Sequence, residues 1–295
     1  MSKRLLISFS GGETSALMTK LIHERMAADY SEIITVFANT GQENEQTLEF
    51  VRRCDEAWGW NVIWVEAAVD PRDGMGTRAK VVDFASADRT GRVFEEMIVK
   101  YGIPGPGFIH CTRELKERPI NAYARSIGWE AGSYDTAIGI RIDEIDRMNP
   151  NAAKHRLIYP MIKPFPHRKI DVNDFWFRQN WRLDLKGYQG NCRWCWKKSL
   201  RKHLTIMTET PEAFDFPERM EAEYPLAGAN PRNERKYFFR SKLTVADIRR
   251  LAGEGNFEPA VDDARVYQTD MLHGFELDLG AGCEDSCEVT FDDAA

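Results

Sequence analysis

Two periodicities alternate along the first half of the chain. Leu5–Phe9 is a short apolar run, "SGGETS" breaks it, and Leu17, Met18, Leu21, Ile22 and Met26 then recur at helical spacing. The unit repeats as an apolar "EIITVFAN", a polar "NTGQEN" and an amphipathic "EQTLEFVRRCDEAWGW", followed by a third apolar run, "NVIWVEA". Strand, turn and helix in this order predict an α/β fold: a parallel twisted sheet with helices on both faces, Rossmann-like in layout. From Val69 to Thr90 the pattern fades into charged and small residues, which reads as a mobile loop or lid. "RVFEEMIVKYG" restores it and "PGPG" breaks it. "TRELKERPINAYARSIG" predicts a helix interrupted at Pro119 and closed by Gly128, and "DTAIGIR" the next strand. Arg141 and Asp143 then stand at a strand's carboxyl end, where open α/β sheets bind ligands.

Beyond Pro150 the texture turns aromatic and basic. Asp171 or Asn173 is expected to cap a helix through Asn180, and "RWCWKKSLRKHLTIM" reads as another helix with its Cys-x-x-Cys at the start. From Thr208 the strand–helix alternation stops, and the last residues, "CEDSCEVTFDDAA", are acidic. These changes divide the chain into an α/β domain at 1–165, a helical Cys-x-x-Cys segment at 166–207 packed on it, and a mostly helical extension with an acidic tail at 208–295.

Composition narrows the class. With 295 residues, 43% hydrophobic and 29% charged, the chain is an ordinary globular protein of one large α/β domain with appendages. It has no apolar run long enough to span a bilayer and no signal-peptide pattern at its start, so a cytoplasmic protein is expected, without a membrane partner. A net charge of −6 excludes a wholly basic nucleic-acid surface but not a local patch. Six cysteines without an export signal read as reduced thiols or metal ligands, not as a disulfide framework.

The glycine loop is the first chemical signal. A Ser-Gly-Gly turn between a buried strand and a helix aims backbone N–H groups at the positive end of the helix dipole, with Ser8, Ser10, Thr14 and Ser15 as added donors. A plain strand-to-helix turn with a capping serine has the same composition. A guanidinium at position 141 can clamp an anion bidentately, or simply pair with Asp143 or Glu144. The Cys-x-x-Cys of "GNCRWCWKKS" lies among Arg193, Lys197 and Lys198, which stabilise thiolates, and thiolates bind iron or zinc. The other reading is reduced thiols packed under Trp194 and Trp196. Trp176, Trp181, Trp194 and Trp196 interleave with eight basic residues over 176–203, either as a nucleic-acid surface or as helices with tryptophans inward and charges outward.

"SGGETS" resembles the pyrophosphate-binding loop of the adenine nucleotide α-hydrolase (PP-loop) superfamily. "FANTGQENEQTLEFV", "CTRELKERPI", "GIRIDEIDR" and "YPMI…DVNDFW" are similar, in order, to further blocks of the phosphoadenosine phosphosulfate (PAPS) reductase family. "GNCRWCWKKS" extends the resemblance to a subgroup found in phage and mobile elements. The resemblance implies phosphates held by Ser8, Ser10, Gly11, Gly12, Thr14 and Ser15, and an adenosine portion near Phe37, Ala38, Asn39 and Thr40. Gly139 and Arg141 would close on the anion, with Arg141 and Asp143 in the catalytic role. It also implies a metal site at Cys111, Cys192 and Cys195, with His110 as a fourth ligand or one position left open. A [4Fe–4S] cluster is favoured over zinc.

For function the resemblance implies an ATP pyrophosphatase-type sulfurtransferase using Mg²⁺, which adenylylates an acceptor and then transfers sulfur. Nucleic acid is a candidate acceptor, and a sulfur donor or reductant protein a candidate partner. The alternatives are a thiol-dependent reductase of PAPS or adenosine phosphosulfate that releases sulfite, and a non-catalytic nucleotide- or nucleic-acid-binding module. The loop keeps Gly-Gly and the closing serine of the ATP-using members, while Glu13 and Thr14 replace their usual lysine and aspartate. Glu13 is expected to point outward at the helix's first turn. Cys283 and Cys287 lack the histidine and glycine of the reductases' terminal motif and read as incidental to a solvated tail. Cys54 reads as a core residue.

Overall fold

The computed structural model describes residues 3–106, 108–230 and 232–267. Five strands run parallel: β1 (Arg4–Ser8), β2 (Glu32–Asn39), β3 (Ile63–Ala68), β5 (Asp135–Ala137) and β6 (Leu157–Ile158). β4 (Arg78–Val82) joins them antiparallel to β3 and closes one edge of a mixed sheet of order β4-β3-β2-β1-β5-β6. This corrects two expectations. The sheet is not wholly parallel, and the Val69–Thr90 stretch contains a strand as well as loops. Its sequence, "RAKVV", is charged and mostly exposed, as edge strands commonly are.

β1 lies at the centre, paired with β2 on one side and β5 on the other. Leu5 and Ile7 join a core with Phe9, Leu17, Met18, Phe37, Val51 and Trp176, under α1 (Glu13–Arg25) and α2 (Glu45–Trp58). Leu6 faces the other way, into a core with Val36, Val65, Ile120, Ala124 and Trp129. Burial on both faces explains why the strands read as continuous apolar runs.

The "TRELKERPI" stretch is helical throughout: α4 (His110–Thr112), a π-helical turn (Arg113–Glu117) and α5 (Arg118–Ser126). Pro119 falls at the first turn of α5, where its missing N–H costs nothing, and breaks no helix. Five further α-helices are α3 (Arg92–Tyr101) before them, then α6 (Lys169–Phe177), α7 (Leu200–Glu209), α8 (Asp215–Glu223) and α9 (Val245–Glu254). A third core joins Phe94, Met97 and Leu115 to Trp194, Trp196, Leu204, Phe214, Phe238 and Ile248. The divisions at 165/166 and 207/208 therefore do not bound separate cores among the described residues.

Two helix starts differ from expectation. α6 begins after Arg168, whose N–H donates to Asp171 three residues in, so neither Asp171 nor Asn173 is the cap. α7 begins after Ser199, whose side chain accepts from Lys202 N, so the Cys-x-x-Cys lies in turns ahead of the helix.

Candidate nucleotide and thiol site

The chain leaves β1 toward β2 in one direction and leaves β5 toward β6 in the other. The loops after β1 and β5 therefore diverge and open a crevice at the strands' carboxyl ends, the usual ligand position in such sheets.

Ser10–Gly12 forms one wall. Gly11 is at φ +83°, and a Cβ there would lie 2.8 Å from Thr47 Cγ2 and 3.0 Å from Phe37 Cε2, so both conformation and packing require glycine. Gly12 is the extended residue before α1, with no side chain capping the helix. The first N–H groups of a 13-residue helix are thus left without a side-chain cap at the carboxyl end of β1. Ser10 Oγ donates to Ser15 Oγ (2.9 Å), and Ser15 Oγ to Gly12 O (3.0 Å), which fixes the hydroxyls around the turn.

The opposite wall follows β5. Ile140 N donates to Ile138 O, a three-residue turn around buried Gly139 that swings Arg141 back over the crevice. Arg141, 1% exposed, reaches across to Thr14: Nη1 donates to Thr14 Oγ1 at 2.9 Å. Its Nε donates to Asp143 Oδ1 (3.0 Å) and Nη1 lies 3.5 Å from Glu144 Oε2. The second Asp143 oxygen accepts from Lys169 N at 2.9 Å. Both Asp143 oxygens are thus engaged, one with Arg141 and one with the start of α6.

Glu13 does not point outward. It is buried and takes a two-pronged contact from Arg182, Nε to Oε1 at 2.8 Å and Nη2 to Oε2 at 2.7 Å, while its carbonyl accepts from Trp176 Nε1. Arg182 also donates to Tyr267 Oη and Ala264 O, and Asn173 to Asp263 O and Val266 O. The first turn of α1 is thereby tied to residues 263–267.

The β2 end departs most from expectation. Phe37 is 1% exposed and packs edge-on against Trp64 at 4.8 Å, beneath the glycine loop, so it offers no ring face to an adenine. Asn39 is buried and spends its amide internally, donating to Glu66 Oε1 and Asp88 O and accepting from Gly41 N. Ala38 is in the core of the opposite face. Thr40 donates through N and Oγ1 to Glu43. The side chains of Phe37, Ala38 and Asn39 are thus turned into the protein, and Thr40 lines the cysteine cavity.

The Cys-x-x-Cys is laid directly on this floor. Glu43 and Cys192 form an antiparallel bridge, Asn44 N donates to Asn191 O, Arg193 N to Gln42 O, and Trp194 Nε1 to Gln42 Oε1. Asn191 Nδ2 then donates to Ser10 O at 2.8 Å, joining the thiol loop to the glycine loop. Cys111, Cys192 and Cys195 line one small cavity with Glu43, Lys116, Trp194 and Trp196. Sequence reasoning missed Glu43, Lys116, Asn191 and Arg182. The first and third sit inside motifs already singled out, "NTGQEN" and "GNCRWC", and were legible as polar residues flanking them.

His110 does not line this cavity. Its ring faces Tyr101 and Phe108, with Arg113 Nη2 at 3.3 Å from Nδ1, and burial with the neighbouring Arg113 and Lys236 charges lowers its pKa. The cavity, about 20 Å³, has room for about one water and not for a cubane between the thiols. Among the described residues no three His, Cys, Asp or Glu are grouped to hold a metal ion, so the iron–sulfur or zinc set does not fit the side chains as they stand. A magnesium ion would have to arrive on a nucleotide's phosphates. Cys283 and Cys287 lie outside the described residues.

The tryptophans of the 176–203 segment also differ from the nucleic-acid reading. Trp176, Trp194 and Trp196 are buried, as are Lys198 and Lys202, so this segment does not present stacked aromatics to solvent.

A fold of this kind, an α/β sheet with a ligand crevice at its switch point, is what the chain shares with many nucleotide-binding proteins. No family model matches it. It is similar to the uncharacterized nin region protein ORF290 of Escherichia phage lambda, 27% identical over 289 residues that cover 96% of this chain and 94% of that protein. Among the described residues no helix is long and apolar enough to cross a membrane.

Proposed function

We propose that the chain is a PP-loop enzyme of the PAPS reductase type that binds ATP in the β1/β5 crevice and couples it to sulfur chemistry at the three cysteines. The observation that carries this reading is the buried Arg141 guanidinium held over the first turn of α1, a cation beside helix N–H groups that no side chain caps. Triphosphate oxygens would accept from the N–H groups of Gly12 to Ser15, and Arg141 would turn from Thr14 to the anion. An acceptor oxygen attacking the α-phosphorus releases pyrophosphate and becomes an adenylyl ester. A persulfide sulfur, placed on Cys111, Cys192 or Cys195 by a sulfur-donor protein, would then attack the acceptor carbon and displace AMP. A second of these cysteines would attack the first one's sulfur, release the thiolated acceptor and leave a disulfide for an external dithiol to reduce. Their link to the glycine loop through Asn191 supports a thiol role beside the nucleotide and needs no cluster.

The test is incubation of the full chain with labelled ATP and, separately, with labelled PAPS. Pyrophosphate release with bound AMP-ester supports the proposal. Sulfite release assigns the reductase instead, and binding without turnover the non-catalytic module. Arg141→Lys keeps the charge but loses the planar fork, and is expected to weaken ATP binding at least about 10-fold. Unchanged affinity would refute the clamp.

A further inference from the structure

Several exposed arginines of this protein are neutralised by neighbours. Arg52, Arg72, Arg92, Arg219, Arg249 and Arg250 each meet a carboxylate oxygen at 2.5–2.8 Å. Others stand together on one concave region. A groove of about 710 Å³ lies between residues 103–106 and 108 on one side and 229–230 and 232–242 on the other, and Arg232, Arg235 and Lys242 on it are exposed without an ion pair to any described carboxylate. Only Glu234 among its lining residues is acidic.

The same groove carries aromatic surface. Phe108 is 52% exposed, with Lys236 Nζ 5.6 Å from its ring centre, and half-buried Tyr237 has the Arg235 guanidinium at 5.5 Å. Ser241 and Lys242 at its lip hold φ near +58°, a conformation non-glycine residues adopt only under constraint from their surroundings. The groove is also continuous with the thiol loop, since Arg240 Nη2 donates to Lys197 O, and Phe108 packs on His110, the neighbour of Cys111.

The chain's overall acidity hides this patch. Residues 268–295 hold eight carboxylates and no lysine or arginine, so the preceding 267 residues carry 40 basic against 38 acidic side chains. That part of the chain is slightly cationic, and Arg232, Arg235, Lys236 and Lys242 are among its cations that line the groove.

We propose that this groove binds single-stranded nucleic acid, with phosphates on Arg232, Arg235 and Lys242 and bases stacked on Phe108 and Tyr237. A concave path of spaced cations with aromatic rings between them suits a flexible polyanion with planar bases. A flat lipid surface would not follow the concavity, and a duplex would bury its bases away from the rings. The site replaces the 176–203 segment as the nucleic-acid surface and would lead a strand toward the cysteine cavity.

Binding is read by fluorescence anisotropy of the full chain with labelled 20-mers of deoxythymidine and of uridine, between 50 and 300 mM salt. No ATP is present, so failure here would leave the glycine-loop reading untouched. The triple variant Arg232→Gln/Arg235→Gln/Lys242→Gln is expected to bind at least about 10-fold more weakly at low salt, with a salt slope flatter by about 2. Phe108→Ala should weaken binding about 10-fold at unchanged slope. Arg178→Gln, on the exposed end of the 176–203 segment, should change neither. The proposal is overturned by no binding at 50 mM salt, by an equal loss in Arg178→Gln, or by a blunt duplex of the same length binding as tightly. Competition by polyglutamate as strong as that by unlabelled oligonucleotide would assign the groove to an acidic protein, and would overturn it too.

Discussion

The two halves of the molecule keep buried ionisable groups in opposite ways. Around the sheet, buried charges are paired: Glu13 with Arg182, Arg141 with Asp143, and Glu114 with Arg113, Arg118 and the Thr77 hydroxyl. Among α7–α9, buried Glu221 and His203 form no ion pair with a described residue. Glu221 accepts from Val245 N through one oxygen, and His203 lies edge-to-face between Phe214 and Phe239. Charges that must persist are given counter-charges, and groups that need not be charged are held neutral by burial. The paired half is the one that holds Arg141 over the first turn of α1.

Breaking a pair should therefore cost most. Arg182→Ala leaves the Glu13 carboxylate buried beside the first turn of α1 and cuts the ties to Ala264 and Tyr267. Unfolding free energy from urea denaturation is expected to fall by about 3–5 kcal/mol. The double variant Glu13→Gln/Arg182→Met, which removes both charges, should recover most of that loss. If the double variant is as unstable as the single, the pair's role is hydrogen bonding to the 263–267 segment and not charge compensation.

The glycine loop gives a second, smaller contrast within the same half. Gly11→Ala demands a left-handed φ of an alanine and pushes its methyl into Thr47, Phe37 and Val51, for a loss of about 2 kcal/mol. Gly12, at φ −98° and ψ 164°, has a backbone that any residue adopts, so Gly12→Ala should cost less stability than Gly11→Ala while its methyl intrudes where phosphate oxygens would approach. Melting temperature and ATP titration separate the two. A Gly12→Ala protein that binds ATP as tightly as the parent would place the phosphates elsewhere.

How much of this was legible follows from range. β2 has the boundaries of its apolar run, Glu32–Asn39, because both of its faces are buried and nothing in the run is ambiguous. β4 was not legible, because an edge strand with alternating charges looks like loop. The order of β1, turn and α1 was plain, and so was the placement of Arg141 at the β5 end. The sense of Glu13 was not, because its partner lies 169 residues away and helix-dipole reasoning alone favours an outward carboxylate. Phe37 looked like an adenine platform from its motif. The alternation of β2 puts it under Gly11 instead, and only the third dimension shows that the two touch. His110 and Cys111 are neighbours in sequence, yet the helix beginning there turns one to Phe108 and the other to the cavity.

The helical half supplies the smallest effect, and its sign differs from one group to the other. Burial, reinforced by the charges of Asp247 and Glu218 and opposed by the Val245 N–H and Arg235, pushes the Glu221 carboxyl up to about 7 from 4.5. A carboxyl raised in the folded state binds its proton more tightly there, so its contribution is complete below pH 4.5 and is lost as pH rises through 7. Burial and the Lys198 charge press His203 down to about 3 from 6.5. An imidazole lowered in the folded state contributes fully above pH 6.5 and loses that contribution as pH falls toward 3. Between pH 4.5 and 6.5 the two slopes oppose each other and partly cancel in the parent protein. Glu221→Gln keeps an acceptor for Val245 N and cannot ionise, so its stability relative to the parent should rise with pH, by on the order of 1 kcal/mol between pH 4.5 and 8. His203→Leu should gain on the parent as pH falls below 6.5. Parallel curves for parent and Glu221→Gln across that range would mean that Glu221 is ionised in the fold, and that the helical half, like the sheet, compensates its buried charge with one of its neighbours.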